Sequence, residues 1–279
     1  MTAPNSPNGA HANAAELLAE ASDLVLGYER EVAVRPSTFT IPHRKVTAII
    51  GPNGSGKSTV LNALAGILRP LSGTLRVLGE QSGGRGSRVA YVMQSLALPE
   101  GIPITVGEAV AMGLYPKLGW FGRPTAEDRA RVQRALARLE VGDLAHRHLH
   151  ELSGGQRQRV YVAQGITQRH EALLLDEPLT GLDIVSARAI DDIIHSERER
   201  GHSVVLTTHD LAEARAADWV ILMNGYVVAY GPPEEVLTRH NLEIAYGLGS
   251  LHAADEAFLD DPHPDDDPEH EHSRHQHPH

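Results

Sequence analysis

The chain has 279 residues, enough for one large domain or two small ones, and contains no cysteine, which excludes disulfides, thiolate metal sites and cysteine nucleophiles. Its net charge of −11 is concentrated near the C-terminus, because residues 252–279 hold nine Asp and Glu and one Arg, which leaves −3 for the rest. A nearly neutral body disfavours general nucleic-acid binding, so we expect no nucleic-acid partner.

The N-terminal part of the chain begins without a regular pattern. Residues 1–21 are rich in Ala, Asn and Pro, and their composition predicts a mobile leader. Strands are then expected at Asp23 to Tyr28, Ser37 to Ile41 and Val46 to Ile50. The last of these is a short apolar run that is typical of a buried parallel strand. We find no apolar run of about eighteen residues and no secretory signal, so we expect no membrane span.

A glycine-rich loop follows the third strand and leads into an apolar helix. It has the pattern G-x-x-x-x-G-K-[ST], in which backbone N–H groups curl inward at a helix N-terminus that favours anions. Lys57 is placed to reach the β- and γ-phosphates, and the Ser58 hydroxyl to ligate Mg²⁺. The loop therefore predicts binding of a nucleoside triphosphate by Gly51, Pro52, Asn53, Gly54, Ser55, Gly56, Lys57, Ser58 and Thr59.

The middle of the chain changes from strands to helices. Two more strands are expected at Thr74 to Leu78 and Val89 to Val92. The helices are then predicted at Val106 to Met112, Thr125 to Leu139 and Gln156 to Gln168. Thr125 and Asp128 have the spacing of a capping box, which marks the start of the second helix. These helices indicate an inserted helical subdomain over about 96–170.

Strand and helix alternate again in the last third. Strands are predicted at Ala172 to Leu175 and Val204 to Thr207, with a helix over Val185 to Arg200 between them. A hairpin is expected around the turn Asn224-Gly225, and a short helix at Pro233. The whole pattern predicts an α/β fold with a mainly parallel core sheet and a helical insertion.

Two carboxylates end the strand that leads into Leu175. Asp176 and Glu177 are expected at the carboxyl edge of the sheet, where α/β proteins bind ligands. Asp176 is placed to hold Mg²⁺ beside the phosphate loop, and Glu177 is the candidate base that polarises the attacking water. Alone, this stretch would equally suit a solvated turn.

The segment Leu152-Ser153-Gly154-Gly155-Gln156 opens the third helix of the insertion. Together with the phosphate loop and the run Leu173 to Pro178, in this order, it resembles the ATP-binding subunit of an ATP-binding-cassette (ABC) transporter. The likeness covers roughly residues 22–248. It implies a P-loop NTPase fold of the ABC-ATPase type, with an antiparallel β subdomain beside the parallel core, and ATP and Mg²⁺ as cofactors.

Four further positions acquire roles from this resemblance. Tyr28 matches the ring that stacks on adenine, and Gln94 matches the residue that contacts Mg²⁺ or water and links to the membrane subunit. Asp183 matches the loop at the dimer interface, and His209 the residue that contacts the γ-phosphate. Taken singly, Tyr28 would be interpreted as a strand-end tyrosine, Gln94 as a surface amide and His209 as a histidine near a helix cap.

The resemblance also implies partners. Two copies would pair head to tail, so that Ser153, Gly154, Gly155 and Gln156 of one copy cover the ATP held by the other. The pair would act on a membrane permease, and indirectly on an extracytoplasmic solute-binding protein. We therefore expect a peripheral protein at the cytoplasmic face of the cell membrane.

Two features suggest the transported substrate. Residues 112–121, with Arg123 and Pro124, resemble the branch that imports manganese, zinc or iron. The tail, predicted over 249–279, alternates carboxylates with histidines, which are ligands for a transition metal. Its candidate ligands are His263, His270, His272, His275, His277 and His279.

Other interpretations stay open. The tail would equally serve as a solubilising acidic extension, and the segment 112–124 would suit an importer of siderophores, haem or cobalamin. A different class is a non-transport ABC ATPase of DNA maintenance or translation. Those proteins usually carry coiled-coil arms or two fused cassettes, and neither pattern is found here.

Overall fold

A computed structural model of the chain describes residues 17–29, 31–81, 88–94, 103–118 and 122–247. The strands are β1 (Leu17–Tyr28), β2 (Glu31–Pro42), β3 (Val46–Ile50), β4 (Ser72–Val77), β5 (Glu80–Gln81), β6 (Val89–Val92), β7 (Ala172–Leu175), β8 (Ser203–Thr208), β9 (Trp219–Met223) and β10 (Val227–Gly231). The helices are α1 (Lys57–Leu64), α2 (Val106–Ala111), α3 (Tyr115–Leu118), α4 (Ala126–Arg138), α5 (Gly154–Thr167), α6 (Ile184–Glu199), α7 (Leu211–Ala216), α8 (Pro233–Val236) and α9 (Arg239–Tyr246).

The core is a six-stranded sheet with the strand order β10-β9-β3-β8-β7-β6. From β9 to β6 each strand pairs in parallel with the next, and the edge strand β10 pairs antiparallel with β9. The predicted bounds of β3, β6 and β7 are confirmed, and so is the hairpin of β9 and β10. This confirms the prediction of a mainly parallel core sheet.

The side chains of the core strands alternate between two apolar layers. Ala48 and Ile50 on β3 belong to an apolar cluster that also contains residues of α2, α4, α5 and α6, whereas Ile49 between them belongs to a cluster with residues of α1 and of the second sheet. That second sheet is antiparallel, with the order β2-β1-β4-β5. The core sheet is therefore the middle layer of an α/β fold, with the antiparallel sheet that the resemblance implied on one side.

Helices α2 to α5 lie within the range predicted for the helical insertion. Helix α4 begins with the expected capping box, in which the Thr125 hydroxyl accepts from the Asp128 N–H and the Asp128 carboxylate accepts from the Thr125 N–H. Lys117 donates to the same carboxylate at 2.8 Å. The hydrogen bonds from Lys117 and then from Thr125 hold the pKa of Asp128 well below its usual range.

The N-terminal strands are longer than predicted. β1 begins at Leu17, so residues 17–21 belong to a strand and not to the leader, and β2 begins at Glu31 instead of Ser37. The register of β1 against β2 shifts at four points, and such shifts interrupt the alternation of apolar and polar residues by which a strand is recognised in a sequence. The rest of the predicted leader lies outside the described residues.

Two short helices, α7 and α9, were not predicted from the sequence. Each begins at a polar cap, Asp210 for α7 and Thr238 for α9, but each places only one residue in the buried core. Such short segments carry too weak an apolar period to be recognised. In the described part of the chain, no helix is long and apolar enough to cross a membrane.

Candidate active site

The candidate site lies where four parallel strands of the core end. β3 leads into Gly51, β6 toward Gln94, β7 into Asp176, and β8 into His209. Because these strands are parallel, their carboxyl ends meet at one edge of the sheet. Residues from four distant parts of the sequence are thereby brought to the same edge.

The phosphate loop has the curled backbone that its glycines predict. Gly54 and Gly56 have φ angles of 77° and 95°, which only glycine adopts readily. A Cβ on Gly56 would lie 2.5 Å from the side chain of Val34, so the loop also packs closely against β2. The hydroxyl of Ser55 is buried within the loop and has no hydrogen-bond partner among the described residues. It offers a donor to a ligand seated in the loop.

The turn between β9 and β10 is hydrogen-bonded to this loop. The N–H of Gly225 donates to the carbonyl of Ser55 at 3.1 Å, and the carbonyl of Gly225 accepts from the N–H of Arg35 at 2.8 Å. The phosphate loop is thus held between the C-terminal hairpin and β2.

Lys57 lies over the loop that precedes it. Its buried ammonium donates to the carbonyls of Gly51 at 2.9 Å and Pro52 at 3.1 Å. Burial lowers the pKa of Lys57, while the carboxylates of Glu177 and Asp176 oppose that shift. The ammonium is therefore fixed at the mouth of the loop, where a phosphate oxygen would replace or join the carbonyl oxygens.

Asp176 is the centre of the polar cluster behind the loop. Its Oδ1 accepts from the Thr207 hydroxyl at 2.6 Å and from the Ser58 hydroxyl at 3.1 Å. The Tyr91 hydroxyl lies 3.5 Å from Oδ2, and burial, followed by the charge of Asp176, raises the pKa of Tyr91. A hydroxyl and a carboxylate that face each other are oxygen ligands of the kind that Mg²⁺ takes, so Ser58 and Asp176 fit this ion.

Glu177 is held at the same edge by its backbone and by its side chain. Its N–H donates to the Thr207 hydroxyl at 2.8 Å, and its Oε2 accepts from the Gln94 amide at 2.8 Å. Its φ of 47° is uncommon for a residue with a side chain. A carboxylate held in this way can accept a proton from a nearby water molecule.

Tyr28 and His209 border the cluster on exposed positions. Tyr28 is half exposed at the end of β1, and its hydroxyl accepts from the Asn62 amide at 3.0 Å. A ring that is held at its edge and exposed on its face can stack on a base. His209 is exposed directly after β8, two residues from Thr207.

The signature segment begins α5 and presents its first residues to solvent. Ser153 and Gln156 form a capping box, with N–H···O distances of 3.2 Å and 3.1 Å. Ser153 and Gly154 are exposed, and a Cβ on Gly154 would meet nothing within 4 Å. The exposed helix N-terminus can therefore receive an anion from outside the subunit.

Gly155 and Asp183 join the signature helix to α6. A Cβ on Gly155 would lie 2.5 Å from both the Asp183 carboxylate and the Ser186 hydroxyl. Asp183 caps α6 by accepting from the N–H and the hydroxyl of Ser186, each at 2.9 Å. The next two side chains, Ile184 and Val185, are 87% and 59% exposed, which is unusual for aliphatic residues in succession.

Thr207 and Tyr91 belong to the site, but the sequence pattern alone gave them no role there. The sequence named Thr207 only as the last residue of the predicted strand Val204 to Thr207. Its position opposite Asp176 depends on the parallel register of β7 and β8, in which Leu175 lies beside Leu206. The sequence did offer one indication of this role, because Thr207 places a hydroxyl at the end of an otherwise apolar strand. The segment 119–121 and the tail histidines lie outside the described residues.

Comparison with known proteins agrees with this geometry. A family model described as "ABC transporter" matches residues 34–180. The chain is 36% identical to the manganese transport system ATP-binding protein MntA of Synechocystis over 77% of this chain and 84% of that one. It is 37% identical to the zinc transport system ATP-binding protein TroB of Treponema pallidum, over 82% and 86%.

Two solved structures extend this likeness to the fold. A metal-chelate type ABC transporter in an inward-facing conformation is 29% identical, with a TM-score of 0.71 over 82% of this chain and 88% of that one. An ATP-binding cassette solved as a dimer bound to ADP and phosphate is 26% identical, with a TM-score of 0.68 over 77% and 98%.

Proposed function

The chain belongs to the ABC transporter family as an ATP-hydrolysing subunit, and on that premise we propose that it powers the uptake of a divalent metal ion, manganese or zinc, through a separate permease. The observation that carries the ATPase role is the cluster in which Thr207 joins Asp176 to Glu177 behind the phosphate loop. The choice of ion is supported by the relatives, whose names state manganese or zinc transport, and by residues 112–124.

The residues of the candidate site have different roles in hydrolysis. The backbone N–H groups of residues 53–59 and the ammonium of Lys57 bind the β- and γ-phosphates, and Tyr28 stacks on the adenine. Ser58 and Asp176 would hold Mg²⁺, which neutralises phosphate charge when bound. Glu177 accepts the proton of the attacking water, Gln94 fixes the Glu177 carboxylate, and His209 contacts the γ-phosphate. Exclusion of bulk water requires a cover over the phosphates.

A second copy of the chain supplies that cover. Family members of this kind dimerise and act with membrane components. The exposed Ser153 and Gly154 would close over the nucleotide of the partner, with Asp183, Ile184 and Val185 at the same interface. Mixing a Lys57→Ala subunit with a Ser153→Arg subunit should give a heterodimer with one intact composite site. Cross-linking of a nucleotide analogue to Ser153 of the subunit that binds it would contradict the head-to-tail arrangement.

Glu177→Gln tests the assignment of the base. The variant should bind ATP normally and lose about 10²–10⁴-fold in hydrolysis rate, because the amide cannot accept the proton. Glu199→Gln, on the exposed end of α6, is a matched control that should hydrolyse ATP normally. Phosphate release and nucleotide binding are measured separately. If Glu177→Gln hydrolysed ATP at the wild-type rate, another group would be the base.

The transported ion is tested with the two partners that we propose. This subunit binds the permease at the cytoplasmic face of the membrane, and the solute-binding protein acts at the outer face. The protein is co-purified with its permease, reconstituted in vesicles, and supplied with ATP on the side of this subunit. ATP-dependent accumulation of labelled manganese or zinc is the expected result. Transport of an iron siderophore, haem or cobalamin, with neither ion accumulated, would contradict the metal-ion proposal and leave the ATPase role intact.

The tail is proposed to be a metal-binding appendage outside the ATPase. Deletion of residues 252–279 should leave folding and basal hydrolysis nearly unchanged, because this polar composition cannot form a buried core. The deletion should remove binding sites for Zn²⁺ or Ni²⁺ that titration calorimetry detects in the full chain, and binding should weaken as protons compete at low pH. Equal binding by both proteins would reject a metal role for the tail.

A further inference from the structure

A second cluster of ionisable side chains lies at the opposite end of the sheet from the phosphate loop. His170 precedes β7, Glu197 lies in the last turn of α6, and His202 precedes β8. The side chains of His170 and Glu197 are 3% and 1% exposed, and that of His202 is 31% exposed. The cluster therefore lies at the amino ends of the parallel strands and takes no part in the site described above.

The hydrogen bonds of His170 leave one of its ring nitrogens facing another acceptor. Its Nδ1 lies 2.8 Å from the carbonyl oxygen of Gln168, which only accepts, so Nδ1 carries the hydrogen. Its Nε2 then presents a lone pair to the Glu197 Oε2 at a distance of 3.1 Å. Two lone pairs in a buried contact repel each other. A cation must lie between them, either a second proton on the ring or a metal ion.

The surroundings are those that metal ligands have in proteins. A ligating histidine generally donates its other ring N–H to a carbonyl, as His170 does to Gln168, and a ligating carboxylate is itself hydrogen-bonded. The second oxygen of Glu197, Oε1, accepts from Arg138 at 2.8 Å and from Arg200 at 3.2 Å. Oε2 is thereby directed toward the two histidines, and His202 Nδ1 lies 2.7 Å from it.

We propose that His170, Glu197 and His202 form a binding site for a divalent transition-metal ion, for which Zn²⁺ is the probe. The ligand atoms are His170 Nε2, Glu197 Oε2 and His202 Nδ1, and all three lie within 4.8 Å of one another. A tetrahedral zinc site with bonds of about 2.0–2.1 Å places its ligand atoms roughly 3.3 Å apart, so small side-chain movements suffice. Water from the adjoining cavity of about 350 Å³ would complete the coordination.

The charges around the cluster set the strength of this site. The same cavity is lined by five arginines, of which Arg138 and Arg200 bind Glu197 directly; they are Arg131, Arg134, Arg138, Arg169 and Arg200. Positive charge opposes a dication, and a single carboxylate is the only anionic ligand in the set. Affinity should therefore be lower than that of a structural zinc site, and occupancy should follow the concentration of free ion. The proposal does not depend on which ion the transporter carries.

Thermal unfolding of the full-length protein with and without Zn²⁺ tests the site. An ion that binds only the native fold raises the melting temperature, by about 3–6 °C at ten times the dissociation constant for a folded body of this size. Zinc bound by the tail should add little, because the tail binds it equally in the folded and unfolded chain. His202→Gln should abolish the rise. His195→Gln is the matched control, since His195 is exposed on α6, and it should retain the rise.

Each outcome decides the proposal. If the wild-type melting temperature does not rise in Zn²⁺, the cation beside His170 is a proton and the site is rejected. If Zn²⁺ raises the melting temperature of His202→Gln as much as that of the wild type, the stabilising ion lies elsewhere. His202→Cys supplies a different zinc ligand at the same position, and recovery of the rise in this variant supports direct coordination. Because each protein is compared with itself in metal-free buffer, a variant with lower basal stability still gives a clear result.

Discussion

Replacement of Thr207 by Val would remove one hydroxyl from the centre of the ATPase site while keeping the shape of the side chain. Thr207 is fully buried, its hydroxyl donates to the Asp176 carboxylate at 2.6 Å, and it accepts from the Glu177 N–H at 2.8 Å. The substitution therefore leaves a carboxylate oxygen with one donor fewer, and a backbone N–H without its acceptor.

The magnitude follows from these two bonds. A hydrogen bond to a charged group contributes about 1.5–3 kcal/mol, and a neutral one about 0.5–1.5 kcal/mol, so the free energy of unfolding should fall by about 2–4 kcal/mol. The Glu177 backbone is held at a φ of 47°, which costs roughly 1–2 kcal/mol and is maintained partly by this bond. Without it, Glu177 relaxes and the carboxylate moves. A misplacement of about 1 Å lowers the rate about 10²-fold.

Urea unfolding and single-turnover phosphate release measure the two effects separately. Thr207→Ser keeps the hydroxyl and is the matched control, expected to retain most of the activity. ATP binding by Thr207→Val should be close to wild type, because the phosphate loop and Lys57 are unchanged. A Thr207→Val protein with wild-type stability and rate would show that this hydroxyl does not hold the cluster together.

Three further outcomes are expected. Gly155→Ala should lower the free energy of unfolding by about 1–3 kcal/mol in urea, because its Cβ would lie 2.5 Å from Asp183, whereas Gly154→Ala, which meets nothing, should not. Ser58→Ala should raise the Mg²⁺ concentration for half-maximal hydrolysis about tenfold or more, and an unchanged requirement would contradict its role as a ligand. The lowered pKa of Asp128 should stabilise the fold fully above about pH 4, and this stabilisation should be lost as the pH falls toward the folded-state pKa. In acid titrations followed by circular dichroism, Asp128→Ala should lack this pH-dependent loss of stability.

Local patterns carried most of what could be predicted. The phosphate loop is nine consecutive residues, and the strand before it is uniformly apolar, so both could be located from the sequence. The position of Asp176 and Glu177 at the carboxyl edge of the sheet could also be predicted, because both residues directly follow a strand of a mainly parallel sheet. The bulged strand β1 could not be placed correctly, because its register shifts hide the apolar alternation.

Contacts that depend on strand register or helix length could not be predicted from the sequence. Thr207 faces Asp176 only because β7 and β8 pair without a shift. Similarly, Glu197 contacts His170 and His202 only because the last turn of α6 lies beside the residues that precede β7 and β8. Each residue alone has an ordinary surface or core interpretation, and no spacing rule links residues that are 27 positions apart.

The position of β3 has a consequence for how the protein is made. β3 pairs with β8 on one side and β9 on the other, and the N–H of Val46 binds the side chain of Asp218, 172 residues later. The phosphate loop that follows β3 also rests on Gly225. During synthesis on the ribosome, the N-terminal half therefore emerges without the strands that must flank its central one, and such non-local pairing is slow. Ribosome-bound chains that end before β9 should fail to retain ATP, although their phosphate-loop sequence is complete.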